Sequence, residues 1–169
     1  VQAVVLVAPR GKLTVDESHR LLGFVREGGR LLFAGGYYEA RSHSEWLQRL
    51  GCEVTPVTVG AGQQISLEAP EYASQPMIAE AWAVRADSTW RAIVTCFDYP
   101  VVATKQFGDG RVAIVSDSFA LLDGTLVRDK ITLSGGFLFY SRLLTELLAG
   151  CNEEPEIQAS NLIQIGRAS

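Results

Sequence analysis

The chain has 169 residues and a mass of 18.4 kDa, which suits a single core. Its 47% hydrophobic and 20% charged residues exclude disorder over most of the length. A net charge of −4 without any run of Lys or Arg excludes nucleic acid as the first choice of partner, and no apolar run reaches the roughly 18 to 20 residues that cross a bilayer, so the reading is of a soluble domain.

Val1 leads at once into an apolar run, without the basic and apolar segments of a secretory signal, and reads as part of a longer protein. Residues 3–8 are valine-rich, too short for a helix, and stop at Pro9, which predicts a strand buried on both faces. Thr14 and Glu17 have capping-box spacing, and Val15, Leu21, Leu22 and Val25 supply the apolar stripe of a helix that stops at Gly28-Gly29. Leu31, Leu32, Phe33 and Ala34 make a second strand, so residues 3–34 form one β-α-β unit with a right-handed crossover.

Ser42 or Ser44 caps a short helix with Trp46, Leu47 and Leu50, closed by Gly51 and followed by a strand over residues 52–59. Residues 60–88 break the pattern and read as an irregular excursion with short strands. Residues 91–96 and 101–106 read as strands, and the turn at residues 107–110 makes an antiparallel hairpin with residues 111–115. A last helix runs from Gly135 to Leu148, and residues 151–169 form a polar tail or linker in which Leu162, Ile163 and Ile165 are a short apolar patch, a possible edge strand. Cys52, Cys96 and Cys151 read as buried reduced thiols, since no Cys-x-x-Cys pair or disulfide framework is present.

Two turns stand out, because ligands of open α/β sheets sit beyond the carboxyl ends of parallel strands. Gly35-Gly36-Tyr37 is either an amide-rich loop for an anion or a plain tight reversal. Ser116-Asp117-Ser118 is either part of a polar site or a set of ordinary caps for the following turn. A serine hydrolase would need Ser116 or Ser118 beside His43, with Asp98 or Asp117 as the acid; His43, between Ser42 and Ser44, reads as solvated, and His19 as a helix-face residue. No metal-ligand cluster, phosphate-binding loop or dinucleotide fingerprint is present, so no cofactor is expected.

The runs over residues 4–9, 13–17 and 24–36, with residues 107–118 further on, resemble the class I glutamine-amidotransferase-like superfamily, in particular a non-catalytic bacterial branch found in larger membrane-associated proteins. The resemblance spans about residues 3–150 and implies a three-layer, mainly parallel, flavodoxin-like or amidotransferase-like α/β sheet with a late antiparallel hairpin. Active members of the superfamily carry a cysteine at the elbow and a histidine after a late strand. Here those places read Phe33-Ala34-Gly35-Gly36 and Val115-Ser116-Asp117-Ser118, so the thiolate route to an acyl-enzyme is missing. The resemblance thus implies a non-catalytic domain over residues 1–150. It binds a partner protein or small ligand at a crevice of Gly35, Gly36, Tyr37, Asp117 and Ser118, within a transport or membrane-associated assembly whose parent protein is membrane-anchored. The alternatives are the hydrolase and a purely structural scaffold.

Overall fold

A computed structural model describes residues 2–60, 65–72, 74, 76, 78–121 and 135–149. The first unit forms as its sequence dictates. β1 (Ala3–Val7) is followed by α1 (Val15–Arg26), and the amide of Glu17 donates to the Thr14 hydroxyl at 3.2 Å while the Glu17 carboxylate accepts from the Thr14 amide at 2.8 Å. This reciprocal pair satisfies two of the amides that every helix start leaves over. Gly28 ends the helix at φ 106°, a left-handed conformation open to glycine, and β2 (Arg30–Ala34) then lies parallel to β1.

After β2 come two short helices, α2 (Tyr37–Ser42) and α3 (Ser44–Arg49), and then β3 (Cys52–Gly60). β4 (Ile65–Leu67), β5 (Ala81–Ala86), β6 (Arg91–Cys96), β7 (Tyr99–Phe107) and β8 (Gly110–Val115) follow, and α4 (Gly135–Leu148) comes last. The main sheet has the order β1-β2-β8-β7-β6-β4, and β3 pairs with β5 in a separate two-stranded ribbon.

This corrects the expected fold. Only β1–β2 and β2–β8 are parallel, whereas β8–β7, β7–β6, β6–β4 and β3–β5 are antiparallel, so the sheet is mixed and not mainly parallel. The reason lies in the connections. A parallel pair needs a crossover of a dozen or more residues, and among the described residues only the β1–β2 link supplies one with a full-length helix. Phe97 and Asp98, both with positive φ, turn β6 directly back into β7, and Gly108-Asp109 turns β7 into β8. With α2 and α3 only six residues each, the helices do not make two complete outer layers either.

The sheet separates two apolar clusters. On one face Leu22 and Val25 of α1, Trp46 and Leu47 of α3 and Val54 of β3 pack on Leu31, Phe33, Val112 and Ile114. On the other, Phe139, Leu143 and Leu147 of α4 pack on Leu32, Ala34, Ala113 and Val115. Alternate residues of β2 and β8 thus serve opposite cores, as the two-residue strand period requires. Cys52 and Cys96 are buried, their thiols donating to the Leu47 and Val59 carbonyls. No helix among the described residues is long and apolar enough to cross a membrane.

Candidate functional site

Because β2 and β8 are parallel and Ala34 is the register partner of Val115, the two turns singled out in the sequence leave the sheet side by side. The amide of Gly35 donates to the Val115 carbonyl at 3.0 Å, extending the ladder one step into the turns. The amide of Gly36 donates to the Ser118 hydroxyl at 2.9 Å, and that hydroxyl donates to the Glu39 carboxylate at 2.8 Å. Gly36 must be a glycine here: a Cβ would stand 2.7 Å from the indole nitrogen of Trp82 and 2.9 Å from the Ser118 hydroxyl.

The neighbouring polar groups are equally committed. Ser116 is fully buried, and its hydroxyl donates to the Trp82 carbonyl, with the Val101 carbonyl as the other acceptor within reach at 3.1 Å. One carboxylate oxygen of Asp117 accepts from the Phe119 amide at 2.8 Å; the other accepts from Ala79 at 2.7 Å and Glu80 at 3.2 Å. Burial raises the Asp117 pKa, and those three amides pull it back down. Its role in the turn is the cap that Asp offers by residue type.

Gly35, Gly36, Tyr37, Asp117 and Ser118 are therefore brought together, but the space between the turns is occupied by the protein's own groups. The Trp82 ring lies against Gly36, and the Tyr37 and Tyr38 rings each stand 5.6 Å from it. His43 is not brought to either serine. It is 2% exposed, edge-on to Phe33 at 6.0 Å and 5.8 Å from Trp46. Neither of its ring nitrogens has a partner; burial lowers its pKa, and the nearby Pro9 carbonyl, though outside hydrogen-bonding geometry, offsets this in part. Asp98 is exposed in the β6–β7 turn. Three residues that sequence reasoning did not select complete the arrangement: Glu39, Tyr38 and Trp82. Glu39 lies one helical turn beyond Gly35-Gly36, a spacing that places it back over the turn; Trp82 is 46 positions from Gly36, and no local pattern announces it.

Around these turns the surface is unusually apolar. β1, β2 and β8 end here, the β6–β7 turn lies on the same side, and α4 begins here, because its last turn reaches the opposite end, where Arg111 donates to the Glu146 carbonyl at 2.8 Å. Tyr38, Phe97, Tyr99, Phe119, Phe137 and Leu138 all belong to this rim, and they are every exposed aromatic or leucine side chain among the described residues. Tyr38 is the most open, at 71%. Among the described residues, one hollow of about 220 Å³ opens beside Tyr37 between Ala40, Leu47 and Val54, and another of about 350 Å³ lies beside Cys52 and Asp87. Among the described residues no group of three or more His, Cys, Asp or Glu side chains converges to hold a metal ion.

No protein-family model matches the chain, and neither does any curated protein sequence. Solved structures do resemble it. The mmIFT52 N-terminal domain superposes with a TM-score of 0.72 at 17% identity, covering 91% of this chain and 80% of its own. Cytoplasmic protein STM3548 from Salmonella typhimurium gives 0.64 at 14% identity, covering 86% and 71%. Gan42B, a GH42 beta-galactosidase from G. stearothermophilus, gives 0.53 at 15% identity, with 86% of this chain on 21% of the enzyme. At these identities the likeness concerns the fold alone.

Proposed function

We propose that this chain is a non-catalytic domain that docks a partner protein on the rim around Tyr38, Tyr99 and Phe119, not a small ligand in the crevice between the two turns. The observation that carries the proposal is the contrast between the crevice and its surround. Inside, Ser116, Asp117 and Ser118 spend their hydrogen-bonding capacity on the chain itself, and Trp82 fills the space a ligand would need. Outside, Tyr38 and Tyr99 leave 71% and 50% of their surface exposed. Exposed aromatics gathered on one side of a domain mark protein interfaces, since Tyr and Phe bury large areas at little entropic cost.

The wider setting implied by the sequence resemblance, a transport or membrane-associated assembly, belongs to the same proposal, as does the docking of a protein and not a nucleic acid. The match to the mmIFT52 N-terminal domain supports the fold on which it rests.

The test is site-specific photo-crosslinking in cells that make the protein. A photoreactive phenylalanine in place of Tyr38 or Tyr99 forms one discrete protein adduct, and the same group in place of Gln106, exposed at the opposite end of the sheet, forms none. Adducts at both ends, or at neither, overturn the proposal.

A further inference from the structure

Among the described residues, three that are not glycine hold a positive φ: Ala8 at 40°, Phe97 at 50° and Asp98 at 64°. All three lie at the rim where β1, β2 and β8 end, Ala8 one step past β1 and the other two in the β6–β7 turn. The turn is the costlier case. Cys96 is the register partner of Tyr99, so Phe97 and Asp98 are the two residues of a hairpin loop, and their paired positive φ is the signature of a type I′ turn. Such a loop asks for Asn-Gly. Aspartate tolerates the left-handed region, but the Cβ of a bulky residue there crowds the following carbonyl, which makes Phe97 an outlier.

The described part of the fold does not use the ring held at this cost. Phe97 is exposed and belongs to neither apolar cluster. The hairpin also carries it clear of the sheet. Val115, the last residue of β8, is the register partner of Val102, and Tyr99 lies three residues further along β7, so the tip projects about 10 Å beyond the end of β8. Asp98 beside it is exposed, and among the described residues its carboxylate has no hydrogen bond or ion pair.

We propose that Phe97 is the anchor of the docking surface: its ring enters an apolar pocket of the partner protein, sized for one phenyl group, and a lysine or arginine at the mouth of that pocket meets Asp98. The proposal rests on the rim being a docking surface and names what the partner must carry. Backbone strain at a place where packing does not require it points to a use in binding. A tip that projects from its surroundings fits a recess better than a flat surface, and an aromatic ring desolvated in a pocket is the usual form of an interface hot spot. The uncommitted carboxylate next to the ring selects a cationic mouth by charge complementarity.

The test follows the adduct formed in cells by a photoreactive phenylalanine in place of Tyr38, in the otherwise unaltered chain and in its Phe97→Asn and Asp98→Asn variants. Asparagine accepts the left-handed region, so Phe97→Asn melts about 2–4 °C above the parent, while its adduct yield falls at least about 10-fold. Asp98→Asn melts within about 2 °C of the parent and loses roughly 3- to 10-fold of the adduct. A Phe97→Asn protein that crosslinks as well as the parent overturns the anchor and leaves the docking surface around Tyr38 standing. One that melts below the parent shows that the ring serves the fold, and overturns the anchor as well. Full yield from Asp98→Asn overturns the cationic mouth. A parent chain that forms no adduct overturns the docking surface itself, and the anchor with it.

Discussion

The Gly36 amide and the Ser118 hydroxyl meet at 2.9 Å across 82 positions of sequence, and this contact pins the β2 turn to the β8 turn. It leaves no room for a side chain at position 36, where a Cβ would press on Trp82 and Ser118. Gly36→Ala is therefore expected to destabilise the fold by about 1–3 kcal/mol, the usual cost of overpacking. Ser118→Ala, which strips the Gly36 amide and the Glu39 carboxylate of their shared partner, is expected to cost about 1–2 kcal/mol. Urea denaturation of both variants checks this, and stability unchanged in both would show that the turns are not locked together.

Tyr38 and Trp82 touch, yet their substitutions should act on different properties. Tyr38 is mostly in water, so Tyr38→Ala should leave stability within about 0.5 kcal/mol and weaken partner docking. Trp82 is 7% exposed and belongs to the core, so Trp82→Ala should cost about 3–5 kcal/mol. Thermal melts alongside crosslinking yields separate the two effects. A Tyr38→Ala protein that crosslinks from Tyr99 as well as the parent does would remove Tyr38 from the docking surface.

The elements with local signals were legible. The capping box at Thr14, the glycine stop at Gly28 and the apolar runs on either side define β1, α1 and β2 within a few neighbouring residues, and α4 matches its expected bounds. The meeting of the Gly35 and Ser116 turns was legible too, as a consequence of parallel strands ending together. Strand direction was legible where a long helix or a tight turn joins two strands, at β1–β2 and β7–β8, but not for β6, because apolar alternation alone does not separate parallel from antiparallel strands. Only connection length distinguishes them, and the two residues between Cys96 and Tyr99 carry that information. The departure of β3 from the main sheet is set by its pairing with β5, about 30 residues away, which no window of sequence displays. His43 looked solvated from its serine neighbours, but it precedes Trp46 by three positions, the spacing that puts both rings on one side, against Phe33.

The burial of His43 is expected to make the fold less stable in acid. Among the described residues no ionised group acts on it: β2 presents Phe33, α3 presents Trp46, and the loop after β1 presents the Pro9 carbonyl. Its folded pKa lies below the ordinary value, so as pH falls through about 6.5 the unfolded chain takes up a proton that the folded one refuses, and stability declines until the folded pKa is passed. The slope contributed is at most about 1.4 kcal/mol per pH unit. His43→Leu removes two unpartnered nitrogens from the core; it should be at least as stable as the parent near pH 7 and should lack this decline between pH 7 and 5. Parallel stability curves for the two proteins would falsify the assignment.

Asp117 titrates with the opposite sign. Its folded pKa is raised, so its protonated form is favoured by folding; this contribution is fully present below the ordinary carboxylate range and fades as pH rises through the folded value. Asp117→Asn has no such titration, so the stability of the parent relative to this variant should grow as pH falls from 6 toward 3.5. Asp117→Ala is a different experiment, since it leaves the amides of Ala79, Glu80 and Phe119 without their acceptor and should cost about 3–5 kcal/mol near neutral pH. The two variants together separate charge from hydrogen bonding. A difference between the parent and Asp117→Asn that stays flat with pH would mean that the three amides fully offset the burial of the carboxylate, leaving Asp117 as a cap whose charge is neutral toward folding.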